Sequence, residues 1–344
     1  MTLAEPMEPQ RSAAVRTATD REKALSPDGV LPIDKPVGMT SHDVVDVVRR
    51  LYRTRRVGHT GTLDPAASGL LLIVMGGATR VAPYLSAQDK TYLATVRFGA
   101  TSDTGDAEGR IAPLAVTPDE PRSDVPLPDR GQLEELLPRF QGSVPLDIPA
   151  YAAVRTQGRR RYDLARSGQP VPAANRVVTI HELTLLRYDP PDAEIRVHCS
   201  TGTYIRSLAA ALGEAAGCGA YLGALRREGI RKCQVTEALS LDALERLANA
   251  GQPLPRPRPI EEFLTLPGID VAPTGIEAVR HGRPIRAASI RSVDGEFHAG
   301  DVVTLRDDSG HIIAFGCALF GSDQWPGQLP SDNEPLFRYQ RVLV

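Results

Sequence analysis

Lysine is nearly missing from this chain. It stands only at Lys23, Lys35, Lys90 and Lys232, although lysine and arginine together number 40. The other basic side chains are arginine, whose planar fork pairs with phosphate through two hydrogen bonds and stacks on bases. A GC-rich genome produces the same bias, so composition alone assigns no ligand. Net charge is −2, which argues nothing about nucleic acid until its distribution is considered. Cysteine is scarce too: Cys199, Cys218, Cys233 and Cys317 are widely and irregularly spaced. No Cys-x-x-Cys pair or His-Cys cluster has zinc-ligand spacing, so free thiols in a reducing cytoplasm are expected, and no metal. No apolar run approaches the ~20 residues of a membrane span. Residues 1–27 lack an apolar core region, do not read as a secretory leader, and are expected to be disordered. Dinucleotide and P-loop glycine patterns are absent. The reading is a cytoplasmic chain with no membrane and no cofactor.

What is present is organised. With 344 residues the chain accommodates two domains, or one large one with an appendage. A short apolar strand is expected near 29–33. A helix follows, capped by Thr40 or Ser41, with Val44, Val47, Val48 and Leu51 at helical spacing. Residues 69–75 read as a buried strand. Residues 92–98 alternate, placing Tyr92, Ala94, Val96 and Phe98 on one face. Residues 111–130 read as a surface loop, and 132–140 as helical. Two strands are expected over 177–187 and 193–200. A helix then begins near Tyr204, with Ile205, Leu208, Ala209 and Leu212 as its buried stripe and Arg206 beside that stripe. Residues 250–260 are proline-rich and read as a linker, followed by short strands with glycine turns. Residues 149–176 carry Arg155, Arg159, Arg160, Arg161, Arg166 and Arg176 against a single acid, Asp163. Arg49–Arg56 forms a second arginine group. Both suggest contact with an RNA backbone, with Tyr151 and Tyr162 placed to stack on bases.

The densest signal is Gly58-His59-Thr60-Gly61-Thr62-Leu63-Asp64-Pro65. It sets one carboxylate at the end of a glycine-bracketed loop, just before an apolar strand. Pro65 pushes Asp64 out of helical geometry, so the carboxylate is positioned rather than free. This segment resembles the catalytic loop of the tRNA pseudouridine synthases of the bacterial TruB type. Asp34-Lys35-Pro36-Val37-Gly38-Met39-Thr40-Ser41, Lys90-Thr91-Tyr92 and Gly202-Thr203-Tyr204-Ile205-Arg206 resemble further motifs of that family, in its order. The likeness is strong over residues 28–235. It departs at Ala152-Ala153-Val154-Arg155, where the family pattern has a Ser-Ala pair followed by lysine.

The resemblance implies an α/β (α+β) pseudouridine synthase fold with a mixed central sheet. It implies a catalytic domain over 28–260 with an RNA-gripping thumb at 149–176, and a small β-rich PUA-like RNA-binding domain over 271–344. It implies isomerisation of uridine 55 in the tRNA T-loop, with Asp64 as the catalytic carboxylate and Arg206 pairing with it. Tyr92 would stack on the flipped uracil and take or relay its C5 proton. Leu225 would line the base pocket, and Lys35-Pro36 would support the loop. His59, expected to be exposed, would wedge into the RNA. Tyr204, Arg155, Arg159 and Arg160 would touch RNA. The implied partner is the tRNA T-arm, for a monomer without an obligate protein partner. Two other readings stay open: a guide-RNA-dependent synthase subunit, and a tRNA-binding folding chaperone.

Overall fold

The computed structural model describes residues 28–113, 115–117, 120–121, 125–152, 154–156, 158–329 and 334–343. For Arg155 and Arg160 it describes the backbone only, and the expectation of a disordered 1–27 segment lies outside the described residues.

A ten-stranded mixed sheet organises the larger part of the chain. Its main path runs Leu239–Ser240, Gly29–Lys35, Ser68–Met75, Ala220–Ile230, Lys90–Phe98, Asp192–Cys199, Asn175–Asp189 and Gly142–Asp147. The Ser68–Met75 strand is buried from Gly69 onward because both faces are covered. Leu70, Leu72 and Val74 pack with Val30 and Leu85; Leu71, Ile73 and Met75 pack with Val44, Val45 and Val48. A strand covered on both sides reads as a continuous apolar run, and each such side chain contributes roughly 1.5–3 kcal/mol. Lys90–Phe98 has one fully buried face, Tyr92, Ala94, Val96 and Phe98, and therefore alternates.

The Ser41–Leu51 helix starts at Thr40, whose hydroxyl and the Asp43 carboxylate form a capping box. Its buried stripe is Val44, Val45 and Val48, a slight rotation from the expected one, with Val47 and Leu51 half-buried. The Ile205–Ala215 helix buries Ile205, Leu208, Ala209 and Leu212 as expected, and Arg206 as well. The expected surface loop at 111–130 contains short pairings: Ile111–Pro113 with Ala100–Ser102, and Ala115–Thr117 with Glu120–Pro121.

A second, five-stranded sheet follows, ordered Ile290–Asp294, Gly268–Val271, Val302–Arg306, Ile312–Ala318 and Phe337–Val342. It has its own core, including Ile269, Leu305, Phe297 and Phe320. The proline-rich stretch before it docks on the first sheet: Arg258 and Val30 exchange two backbone hydrogen bonds of 2.8 Å. Ile312 and Phe315 of the second sheet pack in the same cluster as Val30 and Leu70 of the first. Tyr84 stacks on Phe315 with ring centroids 4.9 Å apart. No helix among the described residues is long and apolar enough to cross a membrane.

Candidate active site

The loop between the Val57–His59 and Ser68–Met75 strands is fixed at nearly every step. Thr60 N–H donates to Leu72 O at 3.1 Å. Leu63 is held twice by Ser41, whose hydroxyl accepts from its N–H at 2.8 Å and donates to its carbonyl at 3.1 Å. Gly38 N–H donates to Pro65 O at 2.8 Å, and Ala67 N–H to Asp64 O at 3.0 Å. Lys35 is fully buried, and its Nζ donates to Met39 O at 2.6 Å and to Pro65 O at 3.4 Å. Burial lowers its pKa, and the charge of Asp64 opposes that shift. The short motif around Lys35 thus braces the residues on either side of Asp64. Pro36 beside it is exposed.

Asp64 faces Arg206 with an N–O separation of 3.3 Å. Their exposures differ: the Asp64 side chain is 46% exposed and that of Arg206 9%. The guanidinium is held from behind. Its Nη1 donates to Thr104 O at 3.2 Å and lies 3.3 Å from Asp106. Its Nη2 donates to Tyr151 O at 3.1 Å. Asp106 accepts from Thr104 Oγ1 at 2.6 Å and Glu108 N–H at 3.1 Å. Arg206 therefore shares Nη2 between Asp64 and the Tyr151 carbonyl, while Thr104 and Asp106 hold Nη1.

A cleft of about 310 Å³ opens here, lined by Asp64, Lys90, Tyr92, Tyr204, Leu225 and Arg227 among others. Tyr92 and Leu225 come from adjacent strands, Leu225 opposite Ala94. Burial raises the pKa of the Tyr92 phenol, and the Arg227 guanidinium opposes the rise. Tyr204 is half-buried at the start of the Ile205–Ala215 helix, its pKa raised by burial. Asp64, Tyr92, Arg206, Leu225 and Tyr204 converge, joined by two residues that sequence reading missed, Asp106 and Arg227. Asp106 lies just after the Ala100–Ser102 strand, and its signal was a carboxylate in the sequence Thr104-Gly105-Asp106. Arg227 carried no signal beyond being one of two consecutive arginines in a strand.

His59 is placed differently from expectation. It ends a strand paired with Ile73, is half-buried, and its Nδ1 accepts weakly from Gly61 N–H at 3.4 Å. Burial lowers its pKa. The two arginine groups are also less free than their spacing suggests. Arg49 pairs with Asp46 at 2.9 Å and donates to Val57 O; Arg50 pairs with Glu245 at 2.7 Å. Arg161 is buried, donating to the carbonyls of Ile148, Pro149 and Pro172. It ties the 149–176 segment together and faces no solvent. Arg159 is exposed, and among the described residues its side chain bonds only to Gln169, at 2.8 Å. Arg166 lies over the Tyr162 ring, which meets Tyr151 edge-on. Among the described residues no cluster of His, Cys, Asp and Glu could hold a metal ion.

Residues 49–205 match the model of the TruB family pseudouridylate synthase N-terminal domain, and residues 274–325 that of the PUA domain. The tRNA pseudouridine synthase B of Dechloromonas aromatica (strain RCB) is 38% identical over 88% of this chain and 95% of its own length. That of Azoarcus sp. (strain BH72) is 41% identical, over 75% and 83%. Among solved structures, a Cbf5-Nop10-Gar1 complex contains a chain that superposes with a TM-score of 0.71. That match covers 94% of this chain and 87% of the other at 23% identity, a likeness of fold alone.

Proposed function

This chain belongs to the TruB family of pseudouridylate synthases, and we propose that it converts uridine 55 in the T-loop of tRNA to pseudouridine, with Asp64 as the catalytic carboxylate. The observation that carries this reading is the held line of charge Asp64–Arg206–Asp106 at the mouth of a cleft walled by Tyr92 and Leu225. The reaction breaks the C1′–N1 bond, turns the uracil, joins C1′ to C5 and removes the C5 proton. It is redox-neutral. It needs one carboxylate near the sugar, acting as nucleophile or as base, and a pocket for a base taken out of its stack. Asp64 combines exposure toward the cleft with a rigid loop, which suits a group that must meet the sugar without rearranging. Arg206 orients it. Leu225 packs against the uracil, and Tyr92 stacks on it and takes the C5 proton.

We take the first sheet and its helices, 28–260, as the catalytic unit and 271–344 as an RNA-binding unit. Arg159, with Arg155 and Arg160 beside it in sequence, grips the T-arm backbone. Tyr204 and His59 contact the RNA near the flipped base. The chain acts as a monomer without an obligate protein partner. The test uses the purified chain and unmodified tRNA transcript, with pseudouridine mapped by position. The expected result is conversion at position 55 by wild type and none by Asp64→Asn. Conversion only in the presence of a guide RNA would overturn it.

A further inference from the structure

Two cations in the cleft have no part in the chemistry described so far, Arg227 and Lys90. Arg227 is only 1% exposed. Its backbone sits between Gly69 on one neighbouring strand and Tyr92 on the other. Gly69 has φ +106°, and a Cβ there would overlap the Arg227 carbonyl, so glycine permits this close approach. The Arg227 side chain donates from Nε to Leu70 O at 2.6 Å and from Nη2 to Gly61 O at 3.0 Å. It therefore joins the turn before Asp64 to the strand after it. Its Nη1 lies under Gly61, 3.6 Å from where a Cβ would stand.

A buried guanidinium is costly without a counter-ion or a full set of acceptors. No carboxylate among the described residues pairs with Arg227, and two carbonyls satisfy only part of its five donors. Burial pushes down the pKa of its titratable neighbours Lys35, His59 and Lys90, and the charge of Arg227 adds to that shift in each. The group beside it that can turn negative is the Tyr92 phenol.

We infer that Arg227 is a positioning residue of this reaction: it pins the Asp64 turn to the sheet and stabilises the Tyr92 phenolate that receives the C5 proton. The inference rests on the proposed role of Tyr92. In that step the C5–H electron pair becomes the C5=C6 bond, the C6=N1 pair returns to N1, which takes a proton from water, and the C5 proton passes to the phenolate oxygen. The phenol then returns its proton to water before the next turnover. The charged and titratable groups facing Tyr92 are Arg227, Cys199 from the opposite neighbouring strand and Asp64 from the loop. Lys90 precedes it on its own strand and lines the same cleft. Burial raises the phenol's pKa most, and the negative charge of Asp64 acts in the same direction; Cys199, its own pKa pushed up to about 11 by burial, would do so only as a thiolate. Arg227 is the main influence in the other direction.

Two measurements on the full chain test this. The Tyr92 titration is followed by fluorine NMR of 3-fluorotyrosine-labelled protein, with the resonance assigned by its loss in Tyr92→Phe. Arg227→Gln keeps a donor and removes the charge; its midpoint should rise by about one pH unit or more, and one unit is tenfold in phenolate population. Single-turnover rates on T-arm RNA are then taken from roughly pH 6 to 9.5, where a phenolate base gives a rising limb. The Gln variant should be slower by about tenfold or more throughout this range, because both midpoints lie above it and the two phenolate fractions rise in parallel. An unmoved midpoint overturns the inference about Arg227. A raised midpoint with a rate equal to wild type overturns instead the reading of Tyr92 as proton acceptor. If Arg227→Gln does not fold, Arg227→Met carries the test. It fills similar space without a charge and should also raise the midpoint, and an unmoved midpoint would assign Arg227 to packing alone.

Discussion

Asp106 lies 3.3 Å from Arg206, on the guanidinium nitrogen that does not face Asp64. Asp106 is itself fixed by Thr104 and Glu108, so the direction of Arg206 is set before any substrate arrives. Preorganisation of this kind removes a reorientation from the reaction.

Asp106→Asn should therefore slow turnover while leaving RNA affinity nearly unchanged. The isosteric amide keeps the shape but loses one charge-assisted bond, about 1.5–3 kcal/mol or roughly ten- to a hundredfold in rate. Single-turnover kinetics at saturating enzyme measures the rate, and a filter-binding titration measures the affinity. A variant as fast as the parent would show that Asp106 only fills space.

Asp64→Asn should abolish turnover, since an amide is neither nucleophile nor base. Asp64 makes no contact with the exposed arginine Arg159, so binding should stay within about threefold of wild type. Residual turnover within tenfold of the parent would remove Asp64 from the chemistry.

Arg161 and Arg159 are close in sequence and should behave oppositely. Arg161→Ala leaves the carbonyls of Ile148, Pro149 and Pro172 without their donor. The 149–176 segment should become at least about tenfold more susceptible to limited proteolysis, as expected when a buried charge-assisted network is lost. Arg159→Ala should leave proteolysis unchanged and weaken RNA binding with a shallower salt slope. If both variants lose only affinity, Arg161 belongs to the RNA interface after all.

Lys90 gives a prediction with a sign. Burial lowers its pKa from 10.5 to about 8 in the folded chain, although its Nζ donates to Ser86 O and Gln88 O. Between those two values the unfolded chain holds a proton that the folded chain has released, so raising the pH favours the fold. Below pH 8 both states are protonated, and the fold bears the cost of a buried cation. Wild type should gain stability relative to Lys90→Gln as the pH rises through this window, by on the order of 3 kcal/mol at its upper end. Urea unfolding of both proteins at neutral and alkaline pH measures the gain. A pH-independent difference would mean the amine titrates normally.

Much of this was legible in the chain because local rules and tertiary demands agree. The all-apolar run at 70–74 could only be covered on both faces, and the alternation at 92–98 could only be half-covered. The Asp-Pro loop and the Gly-Thr-Tyr-Ile-Arg segment marked Asp64 and Arg206. What escaped depends on pairing between distant segments. Arg206 reads as peripheral on a helical wheel, yet Thr104 and Tyr151 close over it. Arg161 looks like its exposed neighbours until Pro149 and Pro172 bring their carbonyls to it. Arg227 is one arginine among many until the sheet sets it opposite Tyr92. Periodicity describes which face a residue occupies; it does not say what meets that face.

The packing of Ile312 and Phe315 against Val30 and Leu70 has a mechanical consequence. A hinge between the two sheets would have to open that shared cluster and wet the Tyr84–Phe315 stack. The spacing between Asp64 and the far sheet is therefore held by buried apolar contact rather than by a free tether. For an RNA that meets both sheets, as proposed above, a change in that spacing would come at the cost of wetting this cluster.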